Sequence, residues 1–260
     1  MVQSEWMVLW LCALAALLHG LSGFGFPMMS TAVLSTQLPL SLAVTLVILP
    51  CLILNLILLT AHPQYSIWQS IQHYSIRFFP LILSSLVGSL LGVKLLLWLN
   101  EGYLKLLLGM VMVLYVIDQL RQHSFTVSPS VLNMLIFGLL AGIIGGATNA
   151  MAPFLMMYLL SCQLSKTDIV IVSNLSFIAS KLIQLLLLYP ILVNIDEHQQ
   201  LLVMLICVFA IFGVWIGGRI RQHISQQFFK NTVLILLLLL GLQALWQSYN
   251  LLEQSISLFK

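Results

Sequence analysis

The chain is short of charge. Of its 260 residues only 7% are charged, against 61% that are apolar. A soluble domain carries about 25% charged residues, so this chain cannot cover a water-facing surface. The deficit excludes a soluble enzyme, a nucleic-acid binder and a disordered tail. A net charge of +3 is too small to call for a nucleic-acid partner. Cysteine is scarce too. Cys12, Cys51, Cys162 and Cys207 each lie in an apolar run without a CxxC pair, and read as small hydrophobes rather than a disulfide frame. Met1 to Trp6 hold no Lys or Arg, so the first apolar run is expected to stay in the mature protein. No metal-ligand cluster, Walker motif or dinucleotide fingerprint occurs. No cofactor and no metal is therefore expected, and ATP would have to act through another subunit.

What is present is long apolar runs, at approximately 6–35, 40–60, 78–98, 103–119, 131–160, 169–190, 199–218 and 232–249. One bilayer crossing takes about 20 helical residues. Barrel strands would instead show alternating segments of about ten. The expected fold is an all-α polytopic membrane protein of about eight transmembrane helices. The polar connector 120–130 divides it into a first transmembrane repeat, 1–119, and a second, 131–260.

The repeat is visible in the letters. Leu34-Ser35-Thr36-Gln37-Leu38 matches Leu160-Ser161-Cys162-Gln163-Leu164 at an offset of 126, which also pairs Pro27 with Pro153 and Gly20 with Gly146. Gly88-x3-Gly92-x-Lys94 matches Gly213-x3-Gly217-x-Arg219 at 125. Internal repeats of this kind are a common sign of secondary transporters, whose site lies between the halves. Duplication without transport is the alternative.

The first run of each half is too long for one simple crossing, and each is interrupted. The first break is Gly20-Leu21-Ser22-Gly23-Phe24-Gly25-Phe26-Pro27, and the second runs from Gly142 through Gly145, Gly146, Thr148 and Asn149 to Pro153. Glycine frees the backbone, whereas proline ends one helix and suits the first turn of the next. Unwound backbone at membrane depth must be buried in protein or line a cavity. Short half-helices are expected to start near Met28 and Phe154, with free N–H groups suited to an anion. Ser22, Ser30, Thr148 and Asn149 could add polar contacts. Alternatively, the glycines only let helices pack closely.

With these breaks, the G-x3-G-x-[KR] pattern and the four-plus-four layout, the chain resembles the TauE/SafE sulfite exporter family over almost its whole length. The resemblance implies a membrane transporter of sulfite, sulfoacetate or related small organosulfur anions. The sequence departs from the family's run of three glycines before the proline. It has Gly23-Phe24-Gly25-Phe26-Pro27 in one break and Gly145-Gly146-Ala147-Thr148-Asn149-Ala150-Met151-Ala152-Pro153 in the other.

Lys181 is the sharpest single residue. It stands midway along the run 169–190, about 13 Å of helix from Pro190. Ser173, Asn174, Ser176, Ser180, Lys181 and Gln184 fall within an arc of about 160°. A cation at that depth marks a functional site by default, with an anionic substrate as its partner. The alternative is a lysine bonded to the carbonyls of a broken helix. Its mate at offset 126 is Asn55, which is neutral, so the halves are chemically unequal.

The expected substrate-binding set is thus Lys181, Asn174, Asn55, Ser22, Gly23, Gly25, Pro27, Gly145, Gly146, Thr148, Asn149 and Pro153. No catalytic residue is expected. Gly20-Leu21-Ser22-Gly23 does resemble the GxSG motif of rhomboid intramembrane proteases. The histidines that could act as its base are His19 beside it and others in connectors or at helix ends. His19 could carry a proton, or simply pack near the break.

The expected function is a secondary transporter, in the export direction, of a small anion such as sulfite or an organosulfonate, by alternating access. A passive anion channel is the runner-up. The partners are that anion and the lipid bilayer of the plasma (inner) membrane. Homo-oligomerisation is neither required nor excluded. Charge does not choose between eight full crossings and two broken runs that re-enter and return. Both put six cations on one side and three on the other, and both put the C-terminus outside.

Overall fold

The structure, a computed structural model, describes residues 3–23, 25–61, 66–121, 127–220 and 226–257. Helices account for the fold, and no strand occurs among the described residues. The first apolar run forms α1 (Gln3–Ser22) and α2 (Phe26–Leu34), and the second forms α3 (Leu40–Leu46) and α4 (Ile48–Leu58) in near-continuous file. There follow α5 (Ile67–Arg77), α6 (Phe79–Trp98) and α7 (Glu101–Leu120). The second half contains α8 (Val131–Thr148), α9 (Ala152–Ser161), α10 (Lys166–Leu187), α11 (Tyr189–Val193), α12 (Glu197–Ile220) and α13 (Gln226–Ser257).

Among the described residues, seven helical stretches are long and apolar enough to cross a membrane. These are Leu40–Leu58, Phe79–Trp98, Glu101–Leu120, Val131–Thr148, Lys166–Leu187, Glu197–Ile220 and Asn231–Ser255. The apolar part of α1, Trp6–Leu21, is shorter. The protein is a polytopic helical membrane protein. α10 is its most enclosed span, 67% buried, followed by α3–α4 at 61%. The outer helices present Leu91, Leu114, Phe212 and Leu239 outward, as lipid-facing surfaces do.

Helix ends follow local chemistry. Ser66 with Gln69 and Ser165 with Asp168 form capping boxes at the starts of α5 and α10. Asn100 caps α7 through the Gly102 N–H. Pro27, Pro80 and Pro153 stand in first turns, where a missing N–H costs nothing.

Both broken runs fold back on themselves. Next to the first break, the Phe26 N–H points to His19 Nδ1 at 3.4 Å, while Val8 lines one pocket with Leu34 and Leu38. Around the second break, Gly145 packs on Met151, the Phe137 and Tyr158 rings stand 6.3 Å apart, and the Val127 N–H reaches Ser161 Oγ at 2.9 Å. Partners rise in number on one arm as they fall on the other, so each pair of arms is antiparallel. Each broken run returns toward the end of the bundle from which it set out.

The two ends can be followed through the chain. At the near end, where α1 starts, the Leu40 N–H bonds Glu101 Oε1 at 3.0 Å and Asn100 Nδ2 reaches Ser255 Oγ at 3.4 Å. Lys105, paired with Glu101 at 3.0 Å, donates to the Ser35 carbonyl there. At the far end, Tyr74 of α5 donates to Asp168 at the start of α10. The first half therefore starts at the near end, and the second half starts at the far end.

The most extensive contacts, α6 with α8, α1 with α12 and α7 with α13, all join one half to the other. The paired glycines explain two of them. A Cβ on Gly88 or Gly92 would overlap the Leu139 or Ile143 carbonyl oxygen of α8, and one on Gly217 would overlap the Leu17 carbonyl oxygen of α1. The backbones meet directly, as small-xxx-small pairs allow.

Candidate functional site

The polar face of α10 meets both breaks. Lys181 is 3% exposed, and its ammonium donates to Asn149 Oδ1 and to Gln184 Oε1, the latter at 2.6 Å. Gln184 Nε2 in turn reaches the Gly145 and Gly146 carbonyls at 3.1 and 3.2 Å and Asn149 Oδ1 at 2.9 Å. These carbonyls belong to the last turn of α8, whose dipole favours a cation beside it. Asn149 ends α8 in the left-handed region, at φ 61°, and its Nδ2 donates to Thr31 Oγ1 of α2 at 2.7 Å. The amide thus ties α8, α10 and α2 together.

No carboxylate stands within salt-bridge distance of Lys181 among the described residues. Its described hydrogen-bond partners are neutral side-chain oxygens, and an ammonium carries three donors. The cluster thus sets a buried lysine amine among neutral acceptors.

The first break is built differently. Gly23, at φ 85°, occupies the position that pairs with Asn149 at the offset of 126. The Val170 side chain takes the space that a Gly23 Cβ would need. Asn174 Nδ2 donates to the Gly23 and Val170 carbonyls at 3.2 and 2.7 Å. Gly25, at φ 107°, is the N-cap of α2, and no described atom lies within 4 Å of where its Cβ would stand.

The half-helices start at Phe26 and Ala152, within two residues of the expected points, and neither has a side-chain cap. The structure brings Lys181, Asn149, Gly145 and Gly146 into one cluster, and Asn174 and Gly23 into a second. Pro27 and Pro153 sit in the first turns of the half-helices. Thr148 turns onto its own helix, donating to the Ile144 carbonyl at 2.7 Å. Asn55 is wholly buried in α4, and neither of its amide atoms has a hydrogen-bond partner. The Ser22 side chain lies outside the described residues, as do His62, His123 and His223.

Gln184 and Thr31 were missing from the expected set. Gln184 shares the α10 arc and could have been chosen on that signal. Thr31 sits in a short helix buried on all sides, where no polar face marks it.

Residues 8–244 match the family model described as Sulfite exporter TauE/SafE. The chain belongs to the TauE/SafE family. No curated protein and no solved structure matches it. TauE/SafE membership makes the protein a membrane transporter of the sulfite-exporter type. The four cysteines of this TauE/SafE chain are free thiols, as their scattered positions suggested, with Cys12 and Cys51 buried.

Proposed function

We propose that this protein is a secondary transporter of a small anion such as sulfite or an organosulfonate, and that the anion's charge is balanced at Lys181. One observation carries the reading: a buried ammonium at the middle of the most enclosed span, held by neutral oxygens. A charge in that position costs several kcal/mol unless it is paired. The α8 dipole and two acceptors offset part of that cost, and a bound anion would complete the compensation. The uncapped N-terminus of α9 begins three residues after Asn149 and adds donors nearby.

Two halves that start at opposite ends of the bundle support alternating access, because inverted repeats can exchange conformations around a fixed site. The proton gradient or the membrane potential would supply the drive. The far-end connectors and flanks hold Arg77, Arg121, Lys166, Arg219, Arg221 and Lys230 in sequence, and the near-end ones hold Lys94, Lys105 and Lys260. The excess of cations marks the far end as cytoplasmic, which leaves the C-terminus outside the plasma (inner) membrane.

Flux of sulfite into proteoliposomes tests the reading. A carrier saturates and follows the imposed gradient, while a channel conducts without saturation. Lys181→Gln keeps a polar side chain but removes the charge. It is expected to lower substrate affinity at least about tenfold, a loss of about 1.4 kcal/mol. Unchanged affinity in a folded variant would remove Lys181 from the site.

A further inference from the structure

We infer that the first break, beside Asn55 and Asn174, is a subsite for a hydrogen-bond donor on the substrate. The inference rests on the anion reading above and adds a substrate class: anions that carry an O–H or N–H group, in preference to anions with acceptors alone.

The carrying observations are polar atoms without partners. Asn55 is fully buried, and both its Oδ1 and its Nδ2 lack hydrogen bonds. Asn174 is fully buried as well. Its amide orientation is fixed because Nδ2 donates to two carbonyls, which leaves Oδ1 without a donor. The Ser173 hydroxyl, on the same stripe, has no partner either. A buried polar atom left without a partner is costly to the fold, so each of these atoms favours a ligand that supplies one.

Helix register brings these residues to neighbouring turns. α4 runs from the near end to the far end and α10 runs back, and the two pack together. The Cys51 thiol of α4 lies within electrostatic reach of the Lys181 ammonium. Asn55 is one turn beyond Cys51 toward the far end, and Asn174 is two turns beyond Lys181 in the same direction. Asn55 therefore faces the stretch of α10 that leads to Asn174 and the Gly23 break. At the break itself, nothing described beyond its chain neighbours stands within 4 Å of a Gly25 Cβ position.

The two breaks divide the work. At the second, Lys181 and its mates complete one another and supply positive charge. At the first, the mate of Lys181 is Asn55 and the mate of Asn149 is Gly23, so that network is absent. Two amide oxygens there ask for donors, and no cationic side chain among the described residues supplies them. An acceptor-only oxyanion could satisfy Asn55 Nδ2 but neither oxygen. A ligand with an anionic group toward Lys181 and an O–H or N–H toward Asn55 satisfies both ends.

A matched pair of sulfonates tests this on the purified full-length protein by calorimetric titration. 2-Hydroxyethanesulfonate carries a donor that ethanesulfonate lacks. The hydroxylated probe is expected to bind about tenfold more tightly. Asn55→Leu removes an amide that makes no bond in the fold, so its Tm is expected to hold or rise while the preference falls to near unity. Equal affinity of the two probes for the unmodified protein overturns the proposal and leaves anion transport standing. A preference that survives Asn55→Leu also overturns it. If both sulfonates, sulfite and sulfate all fail to bind, the anion reading falls and takes the proposal with it.

Discussion

At the scale of single residues, Asn149 does more than its neighbours suggest. It combines a left-handed backbone with an amide bonded to α2 and α10. The two roles can be separated. Asn149→Gly keeps the backbone conformation and loses the amide, whereas Asn149→Ala loses both. Alanine at positive φ costs about 1–2 kcal/mol more than glycine, so the alanine variant should melt below the glycine variant in thermal unfolding. Both should lose transport affinity, and a glycine variant that transports like the parent would show that the amide has no part in binding. Lys181 stood out in the sequence because it is a lone cation midway along an apolar run. The special backbone of Asn149 was not, since asparagine does not announce a left-handed position as glycine does. Its repeat mate Gly23 was the available clue.

At the scale of elements, the lengths and breaks of the runs were legible, but their direction of travel was not. Gly and Pro mark where α1 and α8 must end, yet they do not say whether α2 and α9 continue or return. That is set by contacts distant in sequence, such as Phe137 on Tyr158. The G-x3-G spacing signalled close packing without naming the partner helix. The structure supplies it: α8 for Gly88 and Gly92, and α1 for Gly213 and Gly217. Gly88→Ala places a methyl against the α8 backbone, which cannot yield as a side chain does. It should destabilise the fold by about 1–3 kcal/mol, seen as a lowered Tm. Gly218→Ala is the matched control, because nothing lies within 4 Å of its Cβ position. Equal melting of the two variants would mean that α6 and α8 do not approach as described.

At the scale of the whole molecule, the return of both broken runs decides which connectors share a side of the membrane. If all runs crossed, the connector 120–130 and the start of α12 would face the same side. With two re-entrant hairpins they face opposite sides, because the second half begins at the far end. Ser128 and Glu197 are exposed and mark the two places. In a background with Cys12, Cys51, Cys162 and Cys207 replaced, Glu197→Cys should react with an impermeant thiol reagent on intact cells. Ser128→Cys should react only after the membrane is opened. Labelling of both from outside would restore eight crossings and undo the hairpins. The reversed pattern would keep the hairpins and turn the molecule over, against its cation distribution. Charge counting alone could not separate these outcomes, since re-entry exchanges Arg77 and Arg121 for Lys94 and Lys105 and leaves the balance unchanged. Packing breaks that tie. Eight full crossings would make α7 and α13 parallel, but Gly102 meets Leu252 while Gly109 meets Gly241 and Leu245, so the two helices are antiparallel and the halves enter from opposite ends.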